Sequence, residues 1–270
     1  MKASRVLVVP VLILSLGLLA SCATAPVTDR PQLALVPAGE LAEQSERSYD
    51  ELLAESTVVE GTSEAEMVRR VGRQVAEAAE EFMRDQGMES ELALFSWEFN
   101  LIEDDQMVNA FCMPGGKIAV YTGILPVTQD EAGLAVIMGH EVAHAIAQHG
   151  QERVSQALVV ELGASTLAAA AAEQPEATQD LILAAYGAGA QVGILLPYSR
   201  AHEHEADTIG LILTAKAGYD PRTAIDLWER MASQGGERPP EFLSTHPHPE
   251  NRIEELQEEM PQALEYYEGT

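Results

Sequence analysis

Residues 140–144 read His-Glu-Val-Ala-His, and this spacing fixes the local fold before anything else in the chain does. On an α-helix, residues four apart lie one turn apart on one face, so both imidazoles can address a single ion. In a strand they would stand roughly 13 Å apart and could not. Glu141 lies beside them, close enough to take a proton from a water that zinc has brought to a pKa near 7. Burying two imidazoles and a carboxylate with no ion between them would leave costly unpaired polar groups. The flanks read as helix too. Thr128 or Asp130 could cap it, with Asp130 and Glu131 at its positive end. Leu134, Ile137, Glu141, His144 and Gln148 share one stripe, and Gly150 suits a C-terminal cap. His149, five residues past His144, falls on another face and reads as a surface residue or one lying behind the ligands.

A zinc site that does chemistry needs a third protein ligand and keeps a fourth position for water. The stretch Tyr198-Ser199-Arg200-Ala201-His202-Glu203-His204-Glu205-Ala206-Asp207 offers a second helix. Glu203 and Asp207 share a face there, and Asp207 can hydrogen-bond and orient a histidine of the first helix. On spacing alone His202, His204 and Glu205 compete with Glu203 for the ligand role. Arg200 reads either as an ion-pair partner in the structure or as a stabiliser of a developing oxyanion.

Around these helices the chain reads as α+β, mainly α, with a small sheet beside the His-Glu-Val-Ala-His helix. Ser63 and Glu66 have the form of a capping box, followed by Val68, Val71, Val75, Ala78 and Phe82 at helical spacing. Phe95, Trp97, Phe99 and Leu101 alternate with polar residues as in a half-buried strand. Pro114-Gly115-Gly116 marks a turn into Lys117-Ile118-Ala119-Val120. That run is either one arm of a plain hairpin or an edge strand, whose open backbone could hold an extended polypeptide. The apolar stretches 154–172 and 181–196 read as a helical hairpin packed in the core, with a lid as the alternative. Neither reads as long and apolar enough to span a membrane. Ala224, Leu227, Trp228 and Met231, and later Ile253 and Leu256, mark two more helices. His246 and His248 read, on residue grounds, as members of a proline-rich loop.

At the N-terminus, Lys2 and Arg5 precede an apolar run from Val6 to Leu19, then Leu19-Ala20-Ser21-Cys22. This is the pattern of a secretory signal over 1–21. The cysteine after small residues resembles the lipobox of bacterial lipoproteins, which implies lipidation of Cys22. Residues 22–39 are expected as a tether and 40–270 as the functional domain. If Cys22 is lipidated, Cys112 has no disulfide partner and reads as a small buried hydrophobe. A formal net charge of −27 argues against any nucleic-acid partner.

These motifs in this order, with Asn109-Ala110-Phe111-Cys112-Met113-Pro114-Gly115-Gly116, Gly218-Tyr219-Asp220-Pro221 and Ser244-Thr245-His246-Pro247 followed by Arg252-Ile253, resemble the Ste-twenty-four/HtpX-like zinc metallopeptidases. These are CAAX-protease-related gluzincins, and the likeness is greatest to the periplasmic lipoprotein members of BepA type. The resemblance implies a zincin fold holding one Zn2+ per chain, with His140, His144 and Glu203 as ligands and Glu141 as general base. It places His246 at the active site, either steadying an oxyanion or filling the fourth zinc position in a latent state. It implies misfolded or unassembled envelope polypeptides as substrates, possible links to envelope assembly machinery, and a lipid anchor on the periplasmic face. Ala23 after Cys22, where no Asp stands, points to the outer membrane. A non-proteolytic assembly factor or chaperone with structural zinc is the competing class. The intact Glu141 argues against it, since a structural site has no use for that carboxylate.

Overall fold

Buried residues in helical register produce the long elements, and a pair of glycines lets the two central ones meet. The structure, a computed structural model, describes residues 22–25, 27–28, 30–172, 174–191, 196–234, 240–246 and 251–267. The expected signal segment 1–21, Gly193 and His248 lie outside the described residues, as do the side chains of Cys22 and residues 196–198. Strands β1 (Cys22–Thr24) and β2 (Pro31–Leu33) pair antiparallel. Helix α1 (Ala38–Glu55) and the short β3 (Val58–Val59) lead to α2 (Ser63–Asp85). In α2, Val68, Val71, Val75, Ala79 and Phe82 form one buried stripe. Its cap is Thr62, one residue before the expected Ser63. Thr62 has the extended backbone a cap needs, and its hydroxyl accepts the amide of Ala65, whereas Ser63 is already helical.

After α3 (Glu89–Leu92) come β4 (Glu98–Ile102), β5 (Ala110–Met113) and β6 (Lys117–Tyr121), in the sheet order β3-β4-β6-β5. Strand β6 runs parallel to β4 and antiparallel to β5. The β5–β6 turn needs its two glycines, since φ is +89° at Gly115 and +85° at Gly116. This order corrects the reading of Lys117, Ile118, Ala119 and Val120 as an edge. Both flanks of β6 are taken up by ladder partners, and all four side chains are buried. The Lys117 ammonium pairs with Glu46 and Glu98. The edges of this sheet are β3 and β5; the strand partner of β5 among the described residues is β6.

The helical half comprises α4 (Leu125–Thr128), α5 (Glu131–Ile146), α6 (His149–Ala171), α7 (Glu176–Ala190), α8 (Leu196–Lys216), α9 (Thr223–Ser233), α10 (Glu241–Thr245) and α11 (Arg252–Leu264). Asp130 caps α5, accepting the amide of Gly133, and every residue from Gly133 to Ile146 is buried. Helix α5 packs on α2, β5 and, most extensively, α8. The α5–α8 crossing is close because glycines face each other. A Cβ on Gly210 would lie 3.0 Å from the Cα and the amide nitrogen of His140, and one on Gly139 would lie 2.9 Å from the Gly210 carbonyl oxygen. The expected C-cap at Gly150 is not used. The helix ends at Ile146, Gln148 turns left-handed with φ +58°, and α6 starts at His149 in a new direction. The Gln32 amide donates to the Ala147 and Gln148 carbonyls at that break.

Two further expectations change. Within the expected tether, residues 30–36 dock on the domain as a ribbon. Gln32 is buried, the Leu35 amide donates to the Ser155 hydroxyl, and Gln151 donates to the Val36 carbonyl. The α6–α7 hairpin is not core. Its helices pack on each other where the Tyr186 hydroxyl donates to the Val160 carbonyl. Leu158, Leu162 and Leu181 remain 48%, 49% and 69% exposed. By length and composition α6 passes as a membrane-crossing helix, with 17% of its apolar window buried. Its N-terminal turns bury His149, Gln151, Glu152, Ser155 and Gln156, while Leu158 and Leu162 further along stay open.

Candidate metal centre

Four buried side chains converge from three places in the fold. His140 and His144 project from α5, Glu203 from α8, and His246 from the turn that ends α10. The two Nε2 atoms of His140 and His144 are 3.1 Å apart. Glu203 Oε2 lies 3.3 Å from His140 Nε2, and its Oε1 lies 3.5 Å from His144 Nε2. His246 Nδ1 is 3.1 Å from Glu203 Oε2 and 3.4 Å from His140 Nε2. A tetrahedral ion with bonds of about 2.0–2.1 Å sets its ligand atoms roughly 3.3 Å apart. The observed separations match that spacing. Lone pairs facing one another in a dry site repel, and a divalent cation removes the repulsion. Three imidazole nitrogens and a carboxylate oxygen suit zinc.

The surroundings prepare each group. Asp207 Oδ1 lies 2.9 Å from His140 Nδ1. A neutral His140 therefore carries its proton on Nδ1, leaving the Nε2 lone pair to face the cluster. Asp207 is itself held by the Arg252 guanidinium, which is buried and stacks 3.3 Å from the centre of the Trp228 ring. Burial works to raise the Asp207 carboxyl, but the Arg252 charge and the His140 hydrogen bond keep it below its ordinary range. Burial would lower His140, yet Asp207 and Glu203 overcome this and hold it up at about 9. His144 is driven well below its ordinary value by burial, and His149 to about 4 for the same reason. Burial opposes ionisation of Glu203 too, but hydrogen bonds from His140, His144 and His246 hold it far below the carboxylate range.

Glu141 stands apart from the cluster and beside it. Its Oε1 is buried and makes no hydrogen bond among the described residues; the His246 Nε2 is 3.4 Å away. Such an orphaned buried oxygen is uncommon unless a site uses it. Between α1, the β5 edge and the end of α5 lies a small cavity of about 50 Å³, whose lining includes Leu94, Phe95, Cys112, Pro114, His144 and Ala145. Burial pushes the Cys112 thiol well up, so it stays protonated.

The structure thus brings together His140, Glu141, His144, Glu203, Asp207 and His246. It separates the competing residues. His202 bonds Glu152 at 2.8 Å, His204 faces outward 3.7 Å from Glu255, and Glu205 bonds His149 at 2.8 Å. Arg200 does not reach the site. It lies roughly 10 Å of helix before Asp207, ahead of the buried face that starts at His202, and is exposed. The arginine at the site is Arg252, brought in where α11 packs on α8. Residues 117–120 lie inside the sheet and not at the cleft. His149 is fully buried and not a surface residue. Arg30 and Glu152 carried no local signal and join the surroundings of the site through long-range contacts alone.

The sequence model of peptidase family M48 matches residues 69–260. The mitochondrial metalloendopeptidase OMA1 of Schizosaccharomyces pombe is 40% identical over 169 residues, 62% of this chain and 48% of the relative. The protein of the same name from Saccharomyces cerevisiae is 35% identical over 179 residues, 64% of this chain and 49% of the relative. A putative beta-barrel assembly-enhancing protease of Vibrio cholerae is 37% identical over 162 residues, 57% of this chain and 33% of the relative. The chain therefore spans about half the length of the fungal relatives and a third of the bacterial one. The matched stretch contains the whole cluster, with Glu141, Asp207 and Arg252.

Proposed function

The chain belongs to peptidase family M48, and from that premise we propose that it is a zinc-dependent endopeptidase acting on polypeptides of the cell envelope. The observation that carries this reading is the orphaned Glu141 carboxylate beside four converging ligand atoms. A structural zinc site would have no role for Glu141, which disfavours the non-proteolytic assembly factor. His140, His144 and Glu203 would hold the ion. Zinc, when bound, supplies a Lewis acid that acidifies water and polarises the scissile carbonyl. Glu141 takes the proton of the attacking water and passes it to the leaving amine. Asp207, braced by Arg252, fixes the His140 ring for the whole cycle. An extended substrate would add to the sheet at β5, Ala110–Met113, since that is the edge beside α5.

His246 completes the cluster in this conformation, which leaves no fourth position for water. The arrangement supports a latent resting state in which His246 must swing out before cleavage. The bacterial envelope as location rests on the signal pattern over 1–21 with Cys22, and on the likeness to the beta-barrel assembly-enhancing protease. Lipidation of Cys22, the outer membrane as the site of the anchor, and misfolded or unassembled envelope proteins as substrates belong to the same proposal. So does the finer placing among Ste-twenty-four/HtpX-like lipoproteins. Casein cleavage by the mature chain is the test, alongside Glu141→Gln and a chelator. Cleavage by the parent that is lost in both controls supports the endopeptidase, and cleavage that survives Glu141→Gln refutes the assigned base. His246→Ala is expected to raise the rate if the ring is an inhibitory ligand.

A further inference from the structure

Behind the cluster lies a second row of buried polar side chains. His149 Nδ1 is 2.8 Å from His144 Nδ1, and His149 Nε2 is 2.8 Å from Glu205 Oε2. The proton positions along this row follow from one requirement. To ligate through Nε2, a neutral His144 must carry its proton on Nδ1. That N–H can only donate, so His149 Nδ1 must be the acceptor. A neutral His149 then has its proton on Nε2, where it donates to Glu205. The opposite tautomer of His149 would set two N–H groups against each other at 2.8 Å.

The row is clamped at its far end by the N-terminal ribbon. Glu205 accepts from the Thr28 hydroxyl at 2.7 Å and from Arg30 Nε at 2.9 Å and Nη2 at 3.1 Å. The same guanidinium donates to Glu152, from Nη1 at 3.1 Å and Nη2 at 2.7 Å. Glu152 accepts from His202 Nε2, and the His202 ring stacks on that of His149 with centroids 4.3 Å apart. His149, Glu152 and His202 are at most 1% exposed. Both nitrogens and one face of His149 are therefore fixed, by α5, α6, α8 and the ribbon together.

We propose that His149 is a positioning residue of the metal centre, which with Glu205 sets the tautomer and basicity of His144, and that Arg30 locks this row by bridging Glu205 to Glu152. The ribbon is then a working part of the metal centre, although Thr28 and Arg30 lie outside the stretch 69–260 that matches the family. The proposal rests on His144 being a ligand.

The test is metal affinity and the visible spectrum of the Co2+-loaded mature chain, with Zn2+ and Co2+ alone as probes. His149→Phe keeps the ring stack but removes the acceptor, and is expected to weaken Zn2+ binding about 10–100-fold and shift the Co2+ bands. In His149→Asn, Oδ1 stands where Nδ1 was, so most of the affinity is expected to return. Arg30→Lys keeps the charge but loses the planar fork that donates twice to each carboxylate, and is expected to give a smaller loss in the same direction. His144→Ala is the reference. If it binds metal like the parent, the ligand reading itself fails. If it loses metal while His149→Phe binds like the parent, or if Asn and Phe lose affinity equally, the positioning role is refuted. Should His149→Phe not fold, an Arg30→Lys chain with parental affinity and Co2+ spectrum refutes the lock.

Discussion

Gly210→Ala is a small change with a calculable effect, because Gly210 lies where the two ligand-bearing helices come closest. The added methyl would sit 3.0 Å from the Cα and nitrogen of His140 and 3.2 Å from the carbonyl carbon of Gly139. Carbon atoms settle at about 3.5–4.0 Å, and these neighbours are helix backbone that cannot rotate aside. Helix α8 must back away by roughly 0.5–1 Å. Overpacking of this kind costs about 1–3 kcal/mol, offset by about 0.5–1 kcal/mol from replacing glycine within a helix. The net loss of up to about 2.5 kcal/mol lowers the melting temperature of a chain this size by up to about 10 °C. The same displacement carries Glu203, two turns earlier on α8, away from His140 and His144. Ligand distances tolerate only about 0.2 Å, so zinc affinity is expected to fall with stability. Gly187 is the control: it is exposed on α7, and a Cβ there meets nothing within 4 Å. Gly187→Ala is expected to gain about 0.5–1 kcal/mol with zinc affinity unchanged. Urea unfolding and zinc competition on both variants decide the matter. A Gly210→Ala chain as stable and as tight for zinc as the parent would refute the claim that backbone approach at this crossing sets the ligand geometry.

Acid should weaken the fold through Glu152. Burial works to raise this carboxyl, but His202 and Arg30 hold it down at about 2 against its ordinary 4.5. Between those values the unfolded chain binds a proton that the folded chain refuses. The contribution is therefore whole above pH 4.5 and is lost as the pH falls towards 2. Urea midpoints between pH 6 and 3 should show a shallower slope in Glu152→Gln, and an identical slope would count against the coupling. Asp207→Asn removes the negative charge facing Arg252 and loosens the hold on His140, so Zn2+ should bind about 10–100-fold more weakly; calorimetric titration giving parental affinity would sink this role. Removing the metal should destabilise the chain. Free zinc at a hundred times its dissociation constant adds about 2.7 kcal/mol, so the unfolding midpoint must rise with zinc concentration, and a midpoint indifferent to zinc would contradict the site.

What the sequence made legible is local. The helices α2 and α5, the pairing of His140 with His144, and the shared face of Glu203 and Asp207 all follow from a helical period, and each is found. What stays open or changes has a different cause. The run 117–120 stays open between a hairpin arm and an edge strand in the sequence, because strand order is set by partners far along the chain. Here β4 joins it in parallel from before β5 is made. Arg200 was nearer to Glu203 in sequence, but Arg252 reaches Asp207 across 45 residues. On one continuous helix His149 falls off the His144 face, so the surface and a place behind the ligands both stay open, and the second is found. The left-handed Gln148 breaks that helix and re-aims the side chain onto His144 Nδ1.

The four converging side chains are not equally committed to the cluster, and this bears on how it could open. His140, His144 and Glu203 stand on helices of 16 and 21 residues that pack along each other over a glycine contact. His246 arrives from the end of a five-residue helix. Local opening is drawn from elements with the fewest supporting contacts. Displacing His246 disturbs one short element and the stacking of its ring on Phe242, with centroids 4.6 Å apart. The other three stand on α5 and α8, the most extensive helix pair in the fold. The fourth position is therefore the one that can be vacated with the rest of the centre intact, and it is also the one next to Glu141, 3.4 Å from the His246 ring. A water entering there would meet the Glu141 carboxylate already in place.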